Sequence, residues 1–394
     1  MKRLFLIINI ILFFGVTMLS GQNNSLSPKA TVSLLVCSPY EGEVFTLYGH
    51  AALRVNDPEK GLDLVFNYGI FDFDTPNFIY RFAKGQTDYQ LGINRYNDYV
   101  IEYQMRGSEV TELMLNLSGS EKEKLWNALR ENYKRENRIY RYNFFFDNCA
   151  TRPIAMIERQ VDGQIKYPAA TKSVSFRELI NECTQNHPWL TFGCDLALGS
   201  PTDRIATPHE QMFLPMILKS EVSKAMILRR DGTEEPLVSK VLVLTEADEE
   251  TVGYNLFTPL FVSILLLGIT VFVTALEIKK KTCYRFFNTV LFSCAGIAGC
   301  VLFFLSFISE HPCVFPNWNL LWLHPLHLLG AVIFSVKKGS KAAYYYHFIN
   351  FVPLSAFILF GSLLPQYLNA AFFPFAGCLW VRSGSYILNV WIKK

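Results

Sequence analysis

The sequence predicts two structural classes in one chain: an exported α+β domain, then an all-α membrane domain of about five transmembrane helices. Three observations carry this. Residues 1–21 place Lys2 and Arg3 before an apolar core and end on Ser20 and Gly21, the layout of a secretory signal peptide. Residues 30–250 mix strand-like and helix-like patterns over a length that can bury its own core. From residue 256 to 392 the chain turns apolar in segments long enough to span a bilayer. The net charge of +3 is small and gives no sign of a nucleic-acid partner.

In the exported part, 31–37 (TVSLLVC) reads as a strand, and 48–55 and 62–68 as two more, separated by the turn Asn56-Asp57-Pro58-Glu59-Lys60-Gly61. Residues 88–95 and 110–117 also favour strands. The period then changes: Leu125, Leu129 and Tyr133 recur at four-residue steps, so 120–136 is predicted helical, capped by Ser118 or Ser120. An aromatic run, Phe144-Phe145-Phe146, leads through Asp147, Asn148 and Cys149 to a helix whose first turn accommodates Pro153. Ser175 with Glu178 marks another helix start. Residues 237–244 are predicted to close the domain as a strand before an acidic linker at 246–250.

Five apolar segments follow, at 256–276, 286–308, 320–336, 343–364 and roughly 367–392. Lys279, Lys280, Lys281 and Arg285 occupy the first connection, Lys337, Lys338 and Lys341 the third, and Lys393 and Lys394 the end; the second and fourth connections carry no Lys or Arg. The positive-inside rule then puts the C-terminus in the cytoplasm and the preceding domain outside, in agreement with the leader. Arg382 interrupts the last segment and needs a neighbouring helix, a phosphate or only partial insertion.

The nine cysteines include no Cys-x-x-Cys pair and no metal spacing, so no metal or cofactor is expected. Cys183 and Cys194 are close enough in sequence to pair on the exported side. Cys149 stands just before a helix start, where unpaired N–H groups and the dipole favour a thiolate. Its polar neighbours Asp147, Asn148, Thr151 and Arg152 argue against a plain core thiol. Of the exported histidines, His187 and His209 lie in turn-like sequence, whereas His50 opens the strand in Tyr48-Gly49-His50-Ala51 and is the better-held base; His209 is the reserve. In the membrane half, Asn317, Trp318, Asn319, Trp322 and His324 lie at the outer hairpin and third span. The tryptophans suit an interfacial belt, and the polar residues point to lipid head-group binding or docking of the exported domain.

A strand histidine followed about a hundred residues later by Asn-Cys at a helix start resembles the circularly permuted papain-like fold of the NlpC/P60 and lecithin:retinol acyltransferase superfamily. The whole layout more closely resembles the Lnb-type lipoprotein N-acyltransferase family of Bacteroidetes, through Tyr48-Gly49-His50-Ala51, Asn148-Cys149-Ala150-Thr151-Arg152 and the hairpin Asn317-Trp318-Asn319-Leu320-Leu321-Trp322. The resemblance implies a bacterial inner-membrane enzyme with Cys149 and His50 as its catalytic pair. Its partners would be a phospholipid acyl donor and a diacylated lipoprotein acceptor. A thiolate can take the acyl chain as a thioester and yield it to an amine, two easier steps in place of one. Backbone N–H groups at the Cys149 helix start would hold the oxyanion, joined by Tyr48 or Asn148; Arg152 would hold the donor phosphate or pair with Asp147. Two other readings compete: an NlpC/P60-like periplasmic peptidase or amidase, which gains little from five spans, and a non-enzymatic membrane assembly protein.

Overall fold

The computed structural model describes residues 25–71, 74–168, 173–248, 256–336 and 341–392, so the leader at 1–21 and part of the acidic linker fall outside it. A seven-stranded antiparallel sheet forms the frame of the exported domain, in the order β10-β5-β1-β2-β3-β4-β6. The strands are β1 (Thr31–Cys37), β2 (His50–Asp57), β3 (Leu62–Ile70), β4 (Asp88–Arg95), β5 (Val110–Leu115), β6 (Ile139–Arg141) and β10 (Val238–Thr245). A smaller sheet is built from β7 (Gln164–Lys166), β8 (Met226–Leu228) and β9 (Glu234–Pro236).

β1 is apolar almost throughout because both its faces are covered. On one face Val32, Leu34, Val36, Leu53 and Phe66 meet Leu125, Trp126 and Leu129. On the other, Leu35, Cys37, Ala52 and Val65 meet Tyr99 and Tyr103. The helices involved are α2 (Tyr96–Met105) on the second face, and α3 (Gly119–Tyr133), α4 (Thr151–Gln160) and α8 (Pro215–Lys224) on the first; α1 (Phe78–Lys84) lies at the edge. Ser118 caps α3: its hydroxyl accepts from the Glu121 N–H and the Glu121 carboxylate accepts from the Ser118 N–H. Ser175 caps α5 (Phe176–Thr184) in the same way with Glu178. Then come α6 (Pro188–Ala197) and the single turn α7 (Pro208–Gln211).

The C-terminal half is all helical: α9 (Pro259–Lys280), α10 (Arg285–Phe307), a 3-10 turn (Trp318–Leu321) leading to α11 (Leu326–Val336), α12 (Lys341–Phe360) and α13 (Phe372–Ile392). Among the described residues, four segments are long and apolar enough to cross a membrane by length and composition: α9, α10, Trp318–Ser335 and α12 with its following turn. The fifth expected segment is a helix of 21 residues, α13, made less apolar by Arg382 and its neighbouring serines. It packs against α9 and α12, while α10 packs on α11.

Candidate active site

The aromatic run that precedes Cys149 is the floor of a tight turn. Asn143 and Asp147 exchange backbone hydrogen bonds of 3.0 and 2.9 Å, and the Asn143 side-chain oxygen accepts from the N–H groups of Phe145 and Phe146. Phe145 is thereby driven inward against Phe176 and Phe213, with ring centroids 5.3 and 5.4 Å away. Asn148 finishes the turn. Its side-chain oxygen accepts from Ala150 and Thr151 N–H at 2.8 and 2.9 Å, and its amide donates to the carbonyls of Phe144 and Phe213 at 2.8 and 2.9 Å. Cys149 is thus presented directly before α4.

The histidine arrives from the sheet. Gly49 has φ 76°, and a Cβ there would lie 2.7 Å from the Cys37 carbonyl, so only glycine lets the chain turn this tightly into β2. His50 pairs in register with Cys37 at the end of β1. Nearby, β3 ends at an irregularity containing Gly69, φ 94°. A side chain at Gly69 would stand 3.6 Å from Cβ of Cys149, 4.0 Å from Cε1 of His50 and 3.9 Å from the Tyr142 ring. Cys149 and His50 therefore flank the same small space, left open because residue 69 has no side chain.

His50 Nε2 lies 2.6 Å from the Asn67 side-chain oxygen. With Nε2–H donating there, the neutral ring keeps its lone pair on Nδ1, the nitrogen left to act as base. The ring also stacks on Tyr103 at 6.1 Å. Asn67 was not singled out from sequence; the signal available was one amide between Phe66 and Tyr68 in the apolar and aromatic second half of β3.

Burial dominates the electrostatics. It pushes the Cys149 thiol up to about 11, against the opposing pull of the Ala51 N–H and the thiol's own backbone N–H. Burial likewise holds His50 down at about 4; the bond to Asn67 pulls up, and the nearby Arg106 charge adds to the lowering. Burial thus opposes the thiolate expected at the helix start, and at both Cys149 and His50 it favours the neutral form. Hydrogen bonding from the Ala51 and Cys149 N–H groups is what opposes burial at the sulfur.

The other candidates go elsewhere. The Tyr48 hydroxyl rests 4.0 Å from the Cys194 sulfur and its ring packs on Phe144, so it is not an oxyanion donor here. Both amide hydrogens of Asn148 are taken by backbone carbonyls, which makes it a builder of the turn. Arg152 pairs in bidentate fashion with Asp147 at 2.6 and 2.7 Å and lies over the Tyr140 ring, 3.4 Å to its centroid. His209 bonds Glu158 at 2.9 Å, nine residues beyond Cys149, or about 13 Å along α4. His187 meets Glu41. Cys183 and Cys194 are both free thiols. Among the described residues no cluster of His, Cys, Asp or Glu could hold a metal ion.

The hairpin residues form a joint between the two halves. Asn317 donates to the Leu196 and Ala197 carbonyls at 2.9 and 3.2 Å, and Asn319 to the Asp195 and Leu196 carbonyls at 3.4 Å. Trp318 N–H donates to Gln366, and Trp322 donates its indole N–H to Asn319. Trp322 is buried against Phe357 and Phe372, inside the helices and not in an interfacial belt. His324 stacks on His327 at 3.9 Å within the bundle, so it is not part of the joint. The facing loop is organised by Arg177, fully buried, which donates to Asp195, Asp203, Thr202 and the carbonyls of Leu198 and Gly199. Arg382 finds its partners on neighbouring helices: Glu277 at 2.5 Å, Asn288 at 2.6 Å and Thr274 at 2.7 Å.

A buried thiol, an imidazole and its amide partner thus stand near one end of a sheet, on a domain fastened to a helical bundle with segments long and apolar enough to cross a membrane. The chain belongs to the Lnb family: residues 21–182 match the Lnb N-terminal periplasmic domain and residues 249–394 the Lnb transmembrane domain. It is accordingly an inner-membrane protein whose N-terminal domain is periplasmic. No match was found among curated proteins or among solved structures.

Proposed function

We propose that the protein is a lipoprotein N-acyltransferase that moves an acyl chain from a membrane phospholipid to the N-terminal amine of a diacylated lipoprotein through a thioester on Cys149. The observation that carries this reading is the convergence of Cys149 and His50 on the gap at Gly69, in a periplasmic domain of the Lnb family locked to its spans. His50 Nδ1 takes the thiol proton as sulfur attacks the donor's ester carbonyl, and the Ala51 and Cys149 N–H groups receive the developing oxyanion. The ester C–O bond breaks, the proton passes to the departing lysophospholipid oxygen, and the acyl group stays on sulfur. The lipoprotein amine then attacks the thioester, His50 takes its proton, and sulfur leaves as thiolate to recover that proton. Asn67 holds the ring and its tautomer throughout.

The spans set this chemistry at the outer leaflet, where both substrates are anchored. Five crossings with the C-terminus in the cytoplasm fit the cationic connection at Lys279 to Arg285, which lies at the opposite end of α10 from the hairpin that meets the periplasmic domain. Mass spectrometry of lipoprotein N-termini tests the reading in cells lacking the protein and complemented with intact, Cys149→Ala or His50→Ala forms. An N-acyl chain is expected only with the intact pair, with Asn67→Ala slower by about a hundredfold in vitro. N-termini unchanged by deletion would end the proposal.

A further inference from the structure

We propose that the outward face of α1 lies in the outer leaflet and delivers the donor's acyl chain to Cys149, an inference that rests on the acyltransferase reading. α1 is turned inside out for a helix on a soluble domain. Ile79, Tyr80 and Phe82 face outward, Ile79 with 83% of its surface exposed. The cation between them, Arg81, folds back along the domain surface onto the Gln86 carbonyl and Asp88. Large apolar side chains displayed beside a cation already neutralised by its own domain mark a surface whose solvent is not water.

Its position says which solvent. The Glu310 N–H donates to the Lys84 carbonyl at 2.8 Å, and His311 Nε2 lies 2.7 Å from the Phe82 carbonyl. Gln86 and Arg141 both bond the Glu310 carboxylate. The Tyr80 ring sits 6.1 Å from Phe304, three residues from the end of α10. The helix is therefore pinned where the second span leaves the bilayer, and its free face continues the apolar surface of that span.

The same face connects to the thiol. Rings succeed one another from the hairpin inward: Phe82 to Phe78 at 6.1 Å, Phe78 to Phe71 at 5.8 Å, Phe71 to Tyr89 at 5.0 Å and Tyr89 to Tyr142 at 4.1 Å. Tyr142 borders the gap at Gly69 beside Cys149. An unbroken aromatic ladder thus runs from the membrane edge to the nucleophile. A phospholipid acyl chain can follow it without entering water, keeping its ester near the head-group level while the carbonyl reaches sulfur.

The test uses the full chain in vesicles of phosphatidylethanolamine and phosphatidylglycerol. A benzophenone amino acid placed at position 79 should, on irradiation, yield lipid adducts by mass, and the same group at the exposed position 131 should not. Ile79→Asp and Phe82→Asp should each cut acylation of Cys149 from vesicle phospholipid at least tenfold. Acylation of the same thiol by a water-soluble short-chain nitrophenyl ester should be unchanged. Equal adducts at 79 and 131, undiminished transfer from vesicles, or equal loss with both donors would each overturn the proposal. If the unmodified protein accepts acyl groups from neither donor, the acyltransferase reading fails. Adducts at 79 would then leave α1 as a membrane contact without a delivery role.

Discussion

At Cys149 two effects compete, and their order decides how the thiol behaves. A helix start lowers a thiol's pKa, but burial raises it, and here burial prevails at about 11. Thiolate is therefore scarce near neutrality and grows tenfold per pH unit. Alkylation of Cys149 by iodoacetamide, followed by mass spectrometry, should rise steadily up to pH 10 with no plateau between pH 5 and 8. A preformed thiolate–imidazolium pair would give that plateau. His50, held neutral down to about 4, remains a base below the ordinary histidine range. The acid limb of the first half-reaction, acylation of Cys149 by a donor ester, should accordingly stay flat through pH 6 and fall only toward pH 4. Cys149 and His50, the two groups proposed to react, could be singled out from sequence because each carried a local signal, a helix start and a strand start. Asn67, Ala51 and Gly69 could not. Their contributions are an amide orientation, a main-chain N–H and an absent side chain, fixed by strands that meet only after folding.

Among the elements, the strands of the main sheet other than the three-residue β6 were legible through β-branched and apolar runs bounded by turns, and α3 through its four-residue steps with a capping serine. α1 and α2 were missed for opposite reasons. α1 displays apolar residues outward, so it lacks the polar face that marks an amphipathic helix; α2 begins at Tyr96 with no break after β4. The loop after α6 had no visible pattern because its organiser, Arg177, lies at a distance in sequence. Arg177→Ala leaves Asp195 and Asp203 without their buried cation and should cost about 3–5 kcal/mol. Thermal unfolding and protease resistance of the full chain would show it. Arg177→Lys should not restore stability, since an ammonium cannot reach the several carbonyl and carboxylate oxygens at once.

For the whole molecule, composition and charge divided the chain correctly into a mixed domain and a helical membrane part, yet left open how Arg382 is accommodated. Its ion pair with Glu277 on α9, supported by Thr274 and Asn288, ties the last helix to the first and second spans. Arg382→Ala should leave Glu277 charged and unpaired inside the bundle, lowering the yield of folded, monodisperse protein at a cost of about 3–5 kcal/mol. Arg382→Met combined with Glu277→Leu should recover most of that yield, because an apolar pair of similar volume leaves no buried charge. Size-exclusion profiles after thermal challenge would separate the two outcomes.

The joint between the halves has a consequence for how such a chain can change over generations. Asn317, Asn319 and Gln366 address main-chain carbonyls of residues 195–198, and Gly199 and Ser200 return bonds to the carbonyls of Cys313 and Pro316. Main-chain atoms survive nearly every point mutation. A coupling written in carbonyls tolerates drift in the side chains around it, so each half can change without breaking its mechanical link to the other.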